Sequence, residues 1–208
     1  CNITVKNTKV TGFYYGIYLD GSCNITLSSN TASNNSYGVA LGSSTGNILV
    51  DNNASNNSWD GIWLFYSIDN VLCGNIASKN RYGIVLSESH NNRIFHNNFI
   101  HNINQTHLYE SFNNLWDNGY PSGGNYWSEY NGMDLFSGPY QNVTGSDGIG
   151  DIAYAIDAND MDRYPLMTHW DVDPPLTKDN YDGLWHTTDL TINLAAIDDL
   201  SGVAETHY

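Results

Sequence analysis

The stretch NSYGVALGSS, Asn35–Ser44, has three near copies in the chain: FYYGIYLDGS around Gly16, SWDGIWLFYS around Gly61 and NRYGIVLSES around Gly83. Each places a glycine after an aromatic or acidic residue, then Ile or Val, then a variable residue, then Leu. The four glycines are 22, 23 and 22 residues apart. Ile17, Val39, Ile62 and Ile84 keep those steps, as do Leu19, Leu41, Leu64 and Leu86. A second apolar row reads Val5, Leu27, Val50, Cys73 and Phe95, and a third reads Val10, Ala32, Ala54, Ala77 and Phe99. Several registers on one period mark a repeat architecture.

Within each repeat the apolar residues alternate, as in Ile3/Val5 and Ile17/Leu19, which is the pattern of short strands with one inward face. Strands this short cannot bury that face alone, but stacked repeats can. Three strand faces per period, with Gly, Asn and Ser between them and no helical periodicity, predict an all-β chain. Its core is a right-handed parallel β-helix of about five coils of 22–23 residues over residues 1–102. A leucine-rich horseshoe would need a Leu-x-x-Leu-x-Leu spacing that is missing. Asn30, Asn52, Asn75 and Asn97 recur on the period, as do Asn35, Asn57, Asn80 and Asn102. Their amides would form ladders along the stack. In the repeated phrase Val39 and Leu41 point inward and Ala40 outward, while Gly38 makes a corner or permits a close approach. Ala40, between Tyr18 and Trp63 in the outward row, leaves a gap that a ligand could fill.

After Phe99 the pattern fades, and residues 103–168, rich in aromatics, Gly and Asp, read as an aperiodic cap over the open end of the coil. A row Thr4, Thr26, Leu49, Leu72, Ile94 reads as outward, turning apolar in later coils as if covered. Cys1 and Cys23 lie one period apart, a distance open either to a disulfide or to two free thiols. Cys73, in an inward row, reads as a small buried hydrophobe.

Charged residues are 14% of the 208 and aromatics 13%. The net charge of −15 is confined to residues 103–208, because the first half balances five acids with five bases. That argues against nucleic acid and anionic membrane partners. No stretch is apolar enough for a membrane-spanning segment. No leader pattern precedes the first repeat, so the chain reads as a mature or excised fragment. Asn2, Asn24, Asn34, Asn53, Asn56, Asn104 and Asn142 begin N-x-[ST] sequons, consistent with a glycosylated surface protein.

The repeats NITLSSNTASNNSYGVALGSS and NVLCGNIASKNRYGIVLSESHNN are followed by NLWDNGYPSGGNYWSEYNGMD, GSDGIGD and DRYPLM. Over residues 1–168 these words resemble the NosD family, within the wider group of carbohydrate-binding and sugar-hydrolase (CASH) β-helix domains. The resemblance implies an extracellular or periplasmic setting, as in archaeal cell-surface and surface-layer-type proteins. The founding members' role in copper-site maturation is not carried over, since Cys, Met and His form no cluster. Residues 171–208 resemble the first strands of an Ig-like sandwich. Such an incomplete sheet is either truncated or completed by another molecule, which would allow self-assembly.

Three candidate sites follow. Asp134, Asp147 and Asp151, around GSDGIGD, offer the oxygen ligands of a structural Ca²⁺ or form plain Asx turns. Tyr15, Tyr37 and Tyr82 in one register, with the outward Tyr18 and Trp63, could stack on glycan rings or simply stiffen the coil. Catalysis lacks support: glycoside cleavage needs two facing carboxylates, and Asp20, Asp51, Asp60, Asp69 and Glu88 put no such pair on one strand register. His90, His96 and His101 read as corner or surface residues, and Trp116, Tyr126, Trp127 and Tyr130 as packing in the cap. The expected function is a non-catalytic cell-surface structural or adhesion module. The alternatives are a carbohydrate-binding module and a polysaccharide hydrolase or lyase.

Overall fold

The computed structural model describes residues 2–170 and the strands Leu176–Asp179 and Leu194–Ile197, which pair antiparallel. The chain divides into two units, Cys1–Trp170 and Asp171–Tyr208. The Ig-like expectation for residues 171–208 and the Cys1–Cys23 pairing lie outside the described residues.

Unit one is a parallel β-helix. Its first sheet stacks Ile3–Lys6, Ile25–Ser28, Ile48–Val50, Val71–Cys73 and Arg93–Phe95. The third stacks Tyr15–Asp20, Tyr37–Gly42, Asp60–Phe65, Tyr82–Ser87 and Asn104–Tyr109. Between them runs a narrow second sheet: Lys9–Val10 on Thr31–Ala32, then, across single bridges at Asn53, Ile76–Ser78, Asn98–Ile100 and Tyr126–Trp127.

The first sheet corrects the inward row. Its register joins Val5, Leu27, Leu49, Leu72 and Ile94, and the last four are 0% exposed. Val50, Cys73 and Phe95 fall instead on the outward side with Lys6 and Ser28. The period's one extra residue lies between Asn57 and Gly61, and the strand at Ile48–Val50 precedes it. Leu49, Leu72 and Ile94 are therefore core residues, not an outward patch under the cap. Cys73 is half-buried, and burial pushes its thiol up to about 11.

Each coil turns through four left-handed corners. The rows are Asn7, Ser29, Asp51, Gly74, His96; Gly12, Asn34, Asn56, Lys79, His101; Gly21, Ser43, Tyr66, Glu88, Glu110; and Asn24, Gly46, Asp69, Asn91, Asn113, all with positive φ. From the second coil on, the residue after each corner is usually a buried Asn or Ser that forms a rung. In the first ladder Asn30, Asn52, Asn75 and Asn97 each donate Nδ2 to the next Oδ1 at 2.9 Å, ending on Asn125. Asn57, Asn80 and Asn102 form a second, Asn47, Asn70, Asn92 and Asn114 a third, and Ser44, Ser67, Ser89 and Ser111 a fourth. The rungs satisfy buried backbone groups at the corners, where no sheet partner exists.

Gly38 sits within a strand and is not a corner. A Cβ there would lie 2.5 Å from the Gly61 carbonyl and 2.7 Å from the Asn57 amide. The repeated glycine is what lets successive coils close on one another.

The coil pattern also runs past residue 102. Leu108, Asn114 and Trp116 continue their rows, each 22 residues beyond Leu86, Asn92 and Ile94. The period breaks between Asn97 and Asn125, which are 28 apart. Beyond the break Trp127 stacks on Phe99 at 4.6 Å and Tyr154 on Trp127 at 4.4 Å, sealing the core. The buried Asp162 accepts the Asn125 N–H at 2.7 Å and the Trp127 Nε1–H at 2.9 Å.

Candidate functional site

The outward face of the third sheet gathers most of the aromatic candidates. Tyr15 stacks on Tyr37 (5.2 Å between centroids), Tyr37 on Trp63 (5.1 Å), and Trp63 lies 4.5 Å from Phe65. Phe65 stacks on Tyr18 (6.2 Å) and Tyr18 on Tyr15 (4.8 Å), closing a ring of five side chains. Ala40, paired with Tyr18 and Trp63 across the sheet, lies within this ring and is 0% exposed. A Cβ on Gly42 would collide with the Phe65 ring. The gap expected at Ala40 is thus filled by neighbouring rings. Each ring packs against two of the others, while Tyr18 stays 41% exposed. Burial, with Tyr14 and Asp60 nearby, pushes the Tyr37 phenol up to about 12. Tyr82 stands apart, tilted against His107 at 5.4 Å.

Asp60 occupies the Tyr15/Tyr37/Tyr82 row. It is 6% exposed, accepts no hydrogen bond among the described residues, and burial pushes it up to about 7 against the pull of Arg81. Arg81 lies 4.6 Å over Trp59 and 5.6 Å over Tyr82. Sequence reading passed over this corner because Trp59 belongs to the one insertion in the repeat.

Asp134, Asp147 and Asp151 come together, but as acceptors of backbone N–H. Asp134 takes those of Asp147 (3.0 Å) and Gly148 (2.8 Å), and Asp151 those of Leu135 and Phe136 (both 3.0 Å). Asp147 takes that of Ile149 at 3.1 Å. The carboxylates knit the loop, and no group of three or more His, Cys, Asp or Glu suited to a metal occurs among the described residues. The Ca²⁺ expectation therefore has no support.

Of the sequons, Asn2, Asn24, Asn34, Asn56, Asn104 and Asn142 are exposed. Asn53 is half-buried, with its Oδ1 enclosed and its backbone bridged on both sides. His96 is not a surface residue: it is buried under Trp170 at 3.6 Å with Nε2 2.7 Å from the Ser122 carbonyl. Its pKa is lowered by burial.

A laddered parallel β-helix with a self-stacked aromatic face and a Trp-lined cap defines a class of solenoid modules. The chain belongs to the NosD family: the family model described as "Periplasmic copper-binding protein (NosD)" matches residues 1–132. No curated protein matches. Among solved structures, the periplasmic alginate epimerase AlgG T265N T268M double mutant is similar at 30% identity, with a TM-score of 0.45. The match covers 50% of this chain and 27% of that one. The AlgG T265N mutant is similar at 29% identity, with a TM-score of 0.45 and the same coverage. This chain thus spans under a third of its structural neighbours' length.

The family's description names copper, which is held by His, Cys and Met side chains. Here His90 stacks on Phe112 and accepts its N–H at Nδ1, His96 is packed under Trp170, and Cys73 lies on the outward side of the first sheet. These described residues do not converge, so they do not fit a copper centre.

Proposed function

We propose that this chain is a non-catalytic scaffold module of the cell surface or envelope, in which the solenoid provides a rigid, extended body. The observation that carries this reading is the closed ring Tyr15–Tyr37–Trp63–Phe65–Tyr18, whose stacking interactions are satisfied internally. The side-chain ladders support the same reading, since they fix every coil to its neighbours. Asp60 has no carboxylate beside it in its strand register, which pairs it with Tyr82. The exposed sequons fit a glycosylated surface.

The test is Trp63→Ala. Removing the indole should destabilise the fold by about 2–4 kcal/mol in urea unfolding, somewhat below the ~3–5 kcal/mol of a fully buried aromatic because Trp63 is half-buried. Retention on immobilised neutral polysaccharides should stay as it is in the parent. Retention abolished at unchanged stability would make the ring a sugar platform and overturn the scaffold reading. So would release of reducing ends or unsaturated uronates from any polysaccharide.

A further inference from the structure

At the corner between the second and third sheets, the cations Lys79 and Arg81 share one surface with the imidazole of His101. A concave surface of about 430 Å³ is lined by Lys79, Arg81 and His101, with Ser58 and Ile103 at its sides. Its floor is Asn57 and Asn80, whose amides are engaged in the ladder. No carboxylate lines it. Among the described residues the ion pair is Arg163–Asp117, so neither Lys79 nor Arg81 has a carboxylate within ion-pair distance, although Arg81 acts from farther off on the buried Asp60. Arg81 reaches from this hollow over the indole of Trp59, which is 44% exposed. Arg81 covers one face of the indole, and the remaining exposed surface of Trp59 adjoins the donors.

The same corner in the preceding coil is Asn56-Asn57-Ser58, neutral throughout. Lys79 and His101 hold left-handed positions, φ 55° and 50°, that Asn34 and Asn56 fill at φ 57°. Asn is the residue at home in that conformation. The charge at this corner is therefore not something the fold requires.

We propose that the Lys79/Arg81/His101 corner binds an acidic saccharide, its carboxylate or sulfate held by Lys79 and Arg81 with the His101 imidazole as a further polar contact, and its ring lying against Trp59. The chain as a whole carries −15. Long-range electrostatics therefore oppose a polyanion, and any binding must come from a local site.

The experiment measures affinity of the whole chain for a polyuronate, for the same polymer with its carboxyls reduced, and for dextran sulfate. The parent should bind one of the two acidic polymers at least about tenfold tighter than the neutral one. A preference between the two acidic polymers identifies the acid group. The pair Lys79→Asn with Arg81→Gln should lose about tenfold or more of that affinity while still unfolding in one cooperative transition, with only the modest loss of stability expected from the Arg81 contacts to Trp59 and Tyr82. His101→Asn is the milder second variant. Equal affinity for acidic and neutral polymers, or unchanged affinity in the pair of substitutions, overturns the site. So does a failure to bind any of the three. None of these results bears on the scaffold reading, which Trp63→Ala tests separately.

Discussion

Asp162 stands where a sixth asparagine would stand in the first ladder. Each rung receives the N–H and the Nδ2–H of the rung before it; Asn125 gives its N–H to Asp162 Oδ2 at 2.7 Å, while its Nδ2 donates to the Trp116 and Ile94 carbonyls at 2.7 and 2.9 Å. The ladder is a one-way chain of donors, and a carboxylate closes it as an acceptor with no donor of its own. Trp127 Nε1–H and Tyr164 N–H converge on the same group. Burial nevertheless dominates and pushes Asp162 up to about 7, against these donors. The folded chain thus binds this proton more tightly than the unfolded chain. The associated stability is fully present below the ordinary carboxylate pKa and is lost as pH rises through about 7. Asp60, also pushed up to about 7 by burial, acts in the same window. The melting temperature should therefore be higher at pH 5.5 than at pH 8. Asp162→Asn should make that slope shallower, leaving the part due to Asp60, and an unchanged slope would refute the assignment. Asp162→Ala strands three buried donors and should cost about 3 kcal/mol or more.

Between the strands, one rule generates the coil: a left-handed residue, then a buried Asn or Ser. Asn75 accepts from the Asn52 N–H and Nδ2 and donates to the Leu49 carbonyl and Asn97 Oδ1. Asn75→Ala breaks all of these inside the core and should cost about 3–5 kcal/mol in urea unfolding. Asn56→Gly, at an exposed corner, should change stability by well under 1 kcal/mol. Equal effects at the two positions would show that the ladder contributes nothing. The ladders at Asn30 and Asn35 and the rows of the third sheet were legible from the sequence, because identical residues recur there. The first-sheet register was not. Gly38 to Gly61 measures 23, but the inserted residue follows Asn57, so a strand before it keeps the step of 22 and Leu27 stacks on Leu49. Leu49 and Val50 are both apolar, and a slip of one residue between them leaves the hydrophobic pattern intact while it reverses the faces. The fate of the outward aromatics was equally hidden. Spacing puts Tyr18 and Trp63 in one row, but the closure of the ring depends on Phe65 folding across Gly42.

Across the solenoid, stability is a sum over neighbouring coils, so a coil with one neighbour is weaker than a coil with two. The two ends of the described β-helix differ sharply. At the far end Trp116 and Trp127 are 1% exposed, and Asp117 pairs with Arg163 through two short contacts, Nε to Oδ2 at 2.8 Å and Nη2 to Oδ1 at 2.6 Å. In the first coil Val5, Ile17 and Leu19 are only partly buried, while their counterparts Leu49, Ile62 and Leu64 are at most 1% exposed. The corner positions ahead of the Asn30 and Asn35 ladders are Thr8 and Phe13, which donate their N–H to the ladder but add no amide rung. The first described coil therefore has the less buried core and incomplete ladders, whereas the last is fastened to the cap by a buried carboxylate, two indoles and an ion pair. Opening of this 208-residue chain should begin at the first coil and travel toward the cap. Hydrogen exchange read by mass spectrometry should find the amides of Ile3–Lys6 and Tyr15–Asp20 exchanging at least about tenfold faster than those of Val71–Cys73 and Tyr82–Ser87. Trp127→Ala should narrow that difference by loosening the cap, since it removes the ring that seals Phe99. Uniform exchange across all coils would mean that the solenoid opens as one cooperative block, and that the stacking at its ends does not limit its stability.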